Sequence, residues 1–231
     1  MSTLNQILFG IYPYICISVF LVGSLIRFDR EQYTWKSDSS QLLKHGQLRW
    51  GSNLFHIGIL FLFFGHLVGL LTPHWMYEVV VTAEAKQTLA MVSGGIAGAM
   101  CLIGLILLVH RRLTEPRIRK TSTRMDIFIL FWILITLLLG LTSIAFSMQH
   151  RDGSVMMLLG DWAQHIVTFR PGAADFIAAA PPIYKIHLFF GMTLFLLFPF
   201  SRLVHIWSGF ASLAYVFRPY QVVRTRHRRA A

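Results

Sequence analysis

Five stretches of this 231-residue chain are apolar for long enough to cross a hydrocarbon core about 30 Å thick, which takes roughly 20 residues of helix. They cover 7–26, 54–71, 89–109, 127–146 and 186–206, and the first, third and fourth contain no charged residue. In lipid every backbone N–H and C=O must find a partner within the protein, so such runs fold as α-helices. Composition agrees: 55% of residues are hydrophobic and only 13% are charged, against roughly 25% in soluble domains. The fold expected is an all-α integral membrane protein of five transmembrane helices, one membrane domain over 1–231 with a basic tail at 207–231. The first run is read as a retained helix, because 1–6 carries no charge and the run exceeds the 7–15 residues or so of a signal peptide's apolar region.

A net charge of +11 suggests a nucleic-acid binder, but the basic residues fall between the apolar runs and not along one face, which excludes it. Lys and Arg instead set topology. Segment 27–50 holds five, 110–126 holds six and the tail after 206 holds five; the alternate loops hold Lys86, Arg151, Arg170 and Lys185. The bias has one sign in every loop, so the N-terminus is expected outside and the C-terminus in the cytoplasm, across the inner (plasma) membrane. Cys16 and Cys101 both lie inside apolar runs, which argues against a disulfide or a cysteine metal site. No C-x-x-C-H is present, so covalent c-type haem is excluded.

Of ten histidines, four fall within spans: His56 and His66 on the second, His187 and His205 on the fifth. His45, His74, His150, His165 and His227 read as solvated loop or tail residues, and His110 as an interfacial anchor. Ionisable groups at membrane depth are costly and by default mark function. Neutral imidazole is the common nitrogen ligand of iron, and a haem takes one on each face. The second and fifth helices run in opposite directions, so matching by depth pairs His66 with His187 toward the outside and His56 with His205 toward the cytoplasm. Two bis-histidine b-type haems follow. The spacing strains this pairing, since His56 and His66 lie about 15 Å apart along an ideal helix and His187 and His205 about 27 Å. Pro199 lies between the latter two and is expected to kink the helix.

Several neighbours carry two readings. Gly58, Gly65, Gly69 and Gly191 let either a porphyrin or a second helix approach, and Gly65-x-x-x-Gly69 is also a helix-packing motif. Arg202, one turn before His205, suits a haem propionate or lipid head groups, and the latter is favoured. Lys86, nearly alone on the outer side, is either an interfacial lysine or a donor to a quinone oxygen near His66. Tyr12, Tyr14, Trp35, Trp50, Trp75, Tyr77 and Trp207 read as an aromatic belt.

The stretches IYPY at 11–14, QYTW at 32–35, SNLFHIGIL at 52–60, Gly65–His66, LTPHWMYE at 71–78, GMTLFLLFPFSR at 191–202 and HIWS at 205–208 run the length of the chain. Through them it resembles the gamma subunit of respiratory nitrate reductase, a membrane-anchoring dihaem cytochrome b. The resemblance implies oxidation of a quinol (menaquinol or ubiquinol) at the outer haem. Electrons then pass through two haems to an iron–sulfur beta subunit and a molybdenum alpha subunit that reduces nitrate to nitrite. It also implies ligand roles for His56, His66, His187 and His205, a quinol-site role for Lys86, and a pocket lined by Gly65 and Gly69. The neighbouring possibility is a dihaem cytochrome b of a formate dehydrogenase, hydrogenase or heterodisulfide reductase-like complex. From another class, a haem-free channel or transporter would use the histidines for proton relay.

Overall fold

A computed structural model describes residues 2–35, 46–149 and 151–209. The described residues form helices and turns, with five helices long and apolar enough to span a membrane. We label them α1 (Thr3–Arg30), α2 (Gly46–Leu71), α3 (Ala83–Thr114) and α4 (Arg124–Ser147), then α5 (Ser154–Val167), which is too short to span, and α6 (Pro182–Leu197), the fifth span. Lys36, Lys44, His45, His150 and the tail from 210, including His227 and the arginines after it begins, lie outside the described residues.

The spans extend beyond their apolar cores because their ends carry proper caps. Thr82 accepts from the Ala85 N–H at the start of α3. Thr123 and Asp126 close a reciprocal capping box at the start of α4. Near the start of α1, Pro13 has no N–H to give the Phe9 carbonyl one turn back, and the helix widens to π geometry over Ile7–Ile11. The Trp162 indole N–H of α5 takes up that Phe9 carbonyl at 2.9 Å, in a buried contact.

Helix α2 lies along α3 more extensively than any other described pair. Small residues set that approach: a Cβ on Gly58 would stand 2.7 Å from the Cys101 N and 2.8 Å from the Ala97 carbonyl, and one on Gly104 would collide with the Phe55 backbone N. Lipid gives no hydrophobic drive between helices, so close backbone contact of this kind supplies the packing. Gly58 is therefore a packing glycine. Cys16 and Cys101 are both buried and free. Helix α3 packs in turn on α4, α4 on α6, and α6 on α1. No extensive interface joins α2 directly to α6.

Two features differ from the sequence reading. The fifth helix does not run to 206 but ends at Leu197; two 3-10 turns follow, Phe198–Phe200 and Arg202–Val204, with Ser201 extended between them. Proline at 199 can neither donate to the preceding turn nor fit against it, so the chain breaks where a kink was expected. Arg27 of α1 donates to the freed Pro199 and Ser201 carbonyls at 2.7 and 2.8 Å. The second is the connection between α4 and α6, which folds as α5 and a short helix, Ala173–Ala178. Trp162, Ile166, Ala174 and Ile177 pack there on Phe9.

Gly104→Val is expected to lower the melting temperature in detergent by about 5 °C or more, since overpacking costs roughly 1–3 kcal/mol. Gly94→Ala, whose Cβ would meet nothing within 4 Å, is expected to leave it unchanged.

Candidate functional site

The four intramembrane histidines come together as two pairs, in the combination that depth matching gives. The His66 and His187 ring centroids are 6.1 Å apart with planes at 45°, and those of His56 and His205 are 6.3 Å apart at 73°. A metal–imidazole bond of about 2.0 Å puts a ring centroid roughly 3.2 Å from the metal, so two trans imidazoles stand about 6.3 Å apart. Both pairs have the separation that a single bridging iron demands.

The ring nitrogens are sorted by their backbone contacts. His56 Nδ1 lies 2.7 Å from the Ser52 carbonyl, His66 Nδ1 2.7 Å from that of Leu62, and His205 Nδ1 2.6 Å from that of Arg202. A carbonyl is accept-only, so each Nδ1 carries the proton and each Nε2 keeps its lone pair for a ligand. His187 Nδ1 is buried with no hydrogen bond of good geometry, and the Thr136 carbonyl of α4 faces it.

Sequence reasoning missed Gly140 on α4. A Cβ there would stand 2.9 Å from His187 Cε1 and 3.4 Å from Nε2, so only glycine lets the imidazole lie against α4. The signal is tertiary: one glycine in a uniform apolar run has no partner visible along the chain.

Open space flanks the rings. Gly65 and Gly69 beside His66, Gly191 one turn past His187 and Gly209 one turn past His205 would each accept a Cβ with nothing within 4 Å. Gly65-x-x-x-Gly69 therefore packs against no described helix. Only 6% of the α2 span is buried, against 22–28% in the other four, and its histidine face is the open one. Among the described residues no three His, Cys, Asp or Glu side chains gather as a metal cluster. A metal held between these imidazoles takes its other ligands from outside the protein, as a porphyrin supplies them, and the glycine-lined space fits such a ring.

Arg202 is placed differently from the lipid-facing reading. Its Nε donates to Asp126 Oδ1 at 2.8 Å, and Asp126 Oδ2 lies 3.7 Å from Arg112 Nη1. Asp126 is 8% exposed and also accepts from the Thr123 N–H, so the turn carrying His205 is fastened to the start of α4.

Toward the other end of the spans, Lys86 Nζ stands 3.6 Å above the centroid of the Tyr77 ring. Tyr77 is buried, so it is no belt residue, whereas Trp50 and Trp75 are 70% and 71% exposed, as a belt requires. His74, read from sequence as a solvated loop residue, contacts the Tyr77 hydroxyl through Nδ1 at 2.6 Å and Asp161 of α5 through Nε2 at 2.9 Å.

Comparison with known proteins gives a consistent picture. Residues 5–226 match the nitrate reductase gamma subunit family. The chain is 54% identical over 227 residues to the respiratory nitrate reductase 1 gamma chain of Escherichia coli K12, covering 98% of this chain and 100% of that one. It is 55% identical over 224 residues to the respiratory nitrate reductase 2 gamma chain of the same organism, covering 96% and 98%. It is 36% identical over 223 residues to the nitrate reductase gamma chain of Bacillus subtilis 168, covering 96% and 99%.

Gly140→Val is expected to push the His187 ring off its place beside His66 while leaving the His56–His205 pair intact. If each pair holds a haem, a pyridine haemochrome count should then fall by one per chain.

Proposed function

Because the chain belongs to the nitrate reductase gamma subunit family, we propose that it is the quinol-oxidising dihaem cytochrome b of a nitrate reductase complex, seated in the inner membrane. The observation that carries this reading is the pair of imidazole separations, 6.1 and 6.3 Å, each of which would admit one iron between the two rings. His66 and His187 hold the outer b-type haem; His56 and His205 hold the inner one. Haem held there would supply single-electron transfer. The protein supplies ligand identity, spacing and the apolar surroundings.

Lys86 donates a hydrogen bond to an oxygen of the quinol, menaquinol or ubiquinol, beside the outer pair. Gly65 and Gly69 leave room for its ring, and the open space around both glycines supports this. Quinol loses two electrons and two protons there, the protons to the outside. The lysine and arginine bias supports an N-terminus outside and a C-terminus in the cytoplasm, with the electrons travelling inward. Each charge moved against a negative-inside potential stores about 2.3 kcal/mol per 100 mV. Arg202, held by Asp126, keeps the His205 turn in position and would pair with a propionate of the inner haem. The basic cytoplasmic segments dock the iron–sulfur beta and molybdenum alpha subunits, where nitrate becomes nitrite.

A dithionite-reduced minus air-oxidised spectrum of the purified chain should show two bis-imidazole b haems per chain. His56→Gln and His205→Gln should each remove one. A colourless folded chain, supplied with haem and indifferent to these changes, overturns the reading in favour of a proton-relaying transporter. Lys86→Ala should slow quinol oxidation roughly tenfold or more while both haems stay bound; unchanged quinol kinetics would remove Lys86 from the site.

A further inference from the structure

We propose that Tyr77, His74 and Asp161 form the proton exit of the quinol site, carrying protons from beside Lys86 to water at the rim of α5. The inference rests on the reading of Lys86 as part of that site. Tyr77 is buried, with the Lys86 ammonium over its ring and its hydroxyl 2.6 Å from His74 Nδ1. His74 Nε2 lies 2.9 Å from Asp161 Oδ1, and the side chains of His74 and Asp161 are 29% and 30% exposed. The chain thus starts at a buried hydroxyl and ends at a carboxylate that water reaches.

The donor pattern has one direction. A carboxylate accepts only, so His74 Nε2 carries the hydrogen and Nδ1 accepts from the Tyr77 O–H. Burial, then the charges of Glu78 and Asp161, push the Tyr77 phenol above its ordinary range, so the hydroxyl keeps its proton until one is handed on. The charged and titratable groups about it are Lys86, Glu78 and Asp161. His165, one turn along α5, gives its Nδ1 to the Asp161 carbonyl and turns its ring on Phe176. In the transfer, a quinol O–H bond breaks and its proton passes to the Tyr77 oxygen. The Tyr77 proton passes to His74 Nδ1, and the Nε2 proton passes to Asp161, which gives it to water. The electrons leave separately, to the outer haem. Tyr77 and His74 each gain one proton and lose one, and the ring resets by exchange with water at its exposed edge.

The test uses the assembled complex in membranes, with nitrate as oxidant and a naphthoquinol as donor. Asp161→Asn is expected to lower kcat severalfold with KM unchanged, to raise the solvent deuterium isotope effect, and to leave the haem count at two. Asp161→Glu should restore the rate. Tyr77→Phe keeps the ring beneath Lys86 and removes only the hydroxyl, so it carries the same test if Asp161→Asn weakens the α5 contacts. Wild-type rates and isotope effects in both variants overturn the relay. Lys86→Ala, assayed alongside, separates the failures: if it alone is slow, the quinol site stands without this exit, and if all three match wild type, both readings fall.

Discussion

Holding two imidazoles about 6 Å apart across a gap is the constraint to which the other contacts answer. The gap separates α2 and α6, which share no extensive interface, so neither helix sets the other's position by packing. Each is located by a different neighbour. Backbone-to-backbone contact at Gly58 and Gly104 fixes α2 on α3, while α6 is fixed by α1 and α4. Lipid offers no hydrophobic gain for bringing apolar helices together, so these approaches depend on small residues and on hydrogen bonds such as Tyr12 to Thr193 at 2.8 Å and Trp132 to the Phe190 carbonyl at 3.1 Å.

The two ends of the gap are closed by different means. At the end nearer His66, α5 lies over it: Gln164 donates to the Leu70 carbonyl of α2, and Trp162 donates to the Phe9 carbonyl of α1. At the end nearer His205 a charge cluster does the work. Asp126 is nearly buried, and a buried carboxylate missing a partner is destabilising by roughly 3–5 kcal/mol. Its hydrogen bonds from Thr123 and Arg202 are thus strongly enforced, and through Arg202 they fix the turn that delivers His205. A continuous helix to 206 would tie the azimuth of His205 to that of His187. The break at 198–205 releases it, which answers the mismatch between separations of about 15 and 27 Å on the two helices.

Much of this was legible in the sequence, because the deciding signals were local or cumulative. Hydropathy located the spans, and the opposite directions of the second and fifth alone paired His66 with His187 and His56 with His205. The signals that stayed hidden were tertiary. Arg202 suited lipid somewhat better than propionate from sequence, and its partner Asp126 lies 76 residues earlier. Gly140 looked like any glycine in an apolar run. His74 and Tyr77 sit one helical turn apart, a visible spacing, but Asp161 joins them only because α5 folds back against α2 and α3. Pro199 announced a distortion without saying how large.

The open histidine face of α2 makes sense only alongside the packed face opposite. A helix that merely needed burial would turn its bulky side chains inward, yet Phe61, Phe63 and Phe64 are exposed while glycines line the approach to His66. That arrangement leaves a flat, apolar, glycine-floored space with an imidazole lone pair on each side, at two depths in the membrane. A proton-relaying transporter needs histidines linked by water or by one another's nitrogens, and it has no use for two imidazole pairs each about 6 Å apart with the Nδ1 atoms of His56, His66 and His205 tied to carbonyls. A redox relay needs that geometry twice, and it needs the first pair beside a site that can separate protons from electrons. His74, Tyr77 and Asp161 sit toward the His66 end of α2, and the basic segment 110–126 toward the His56 end.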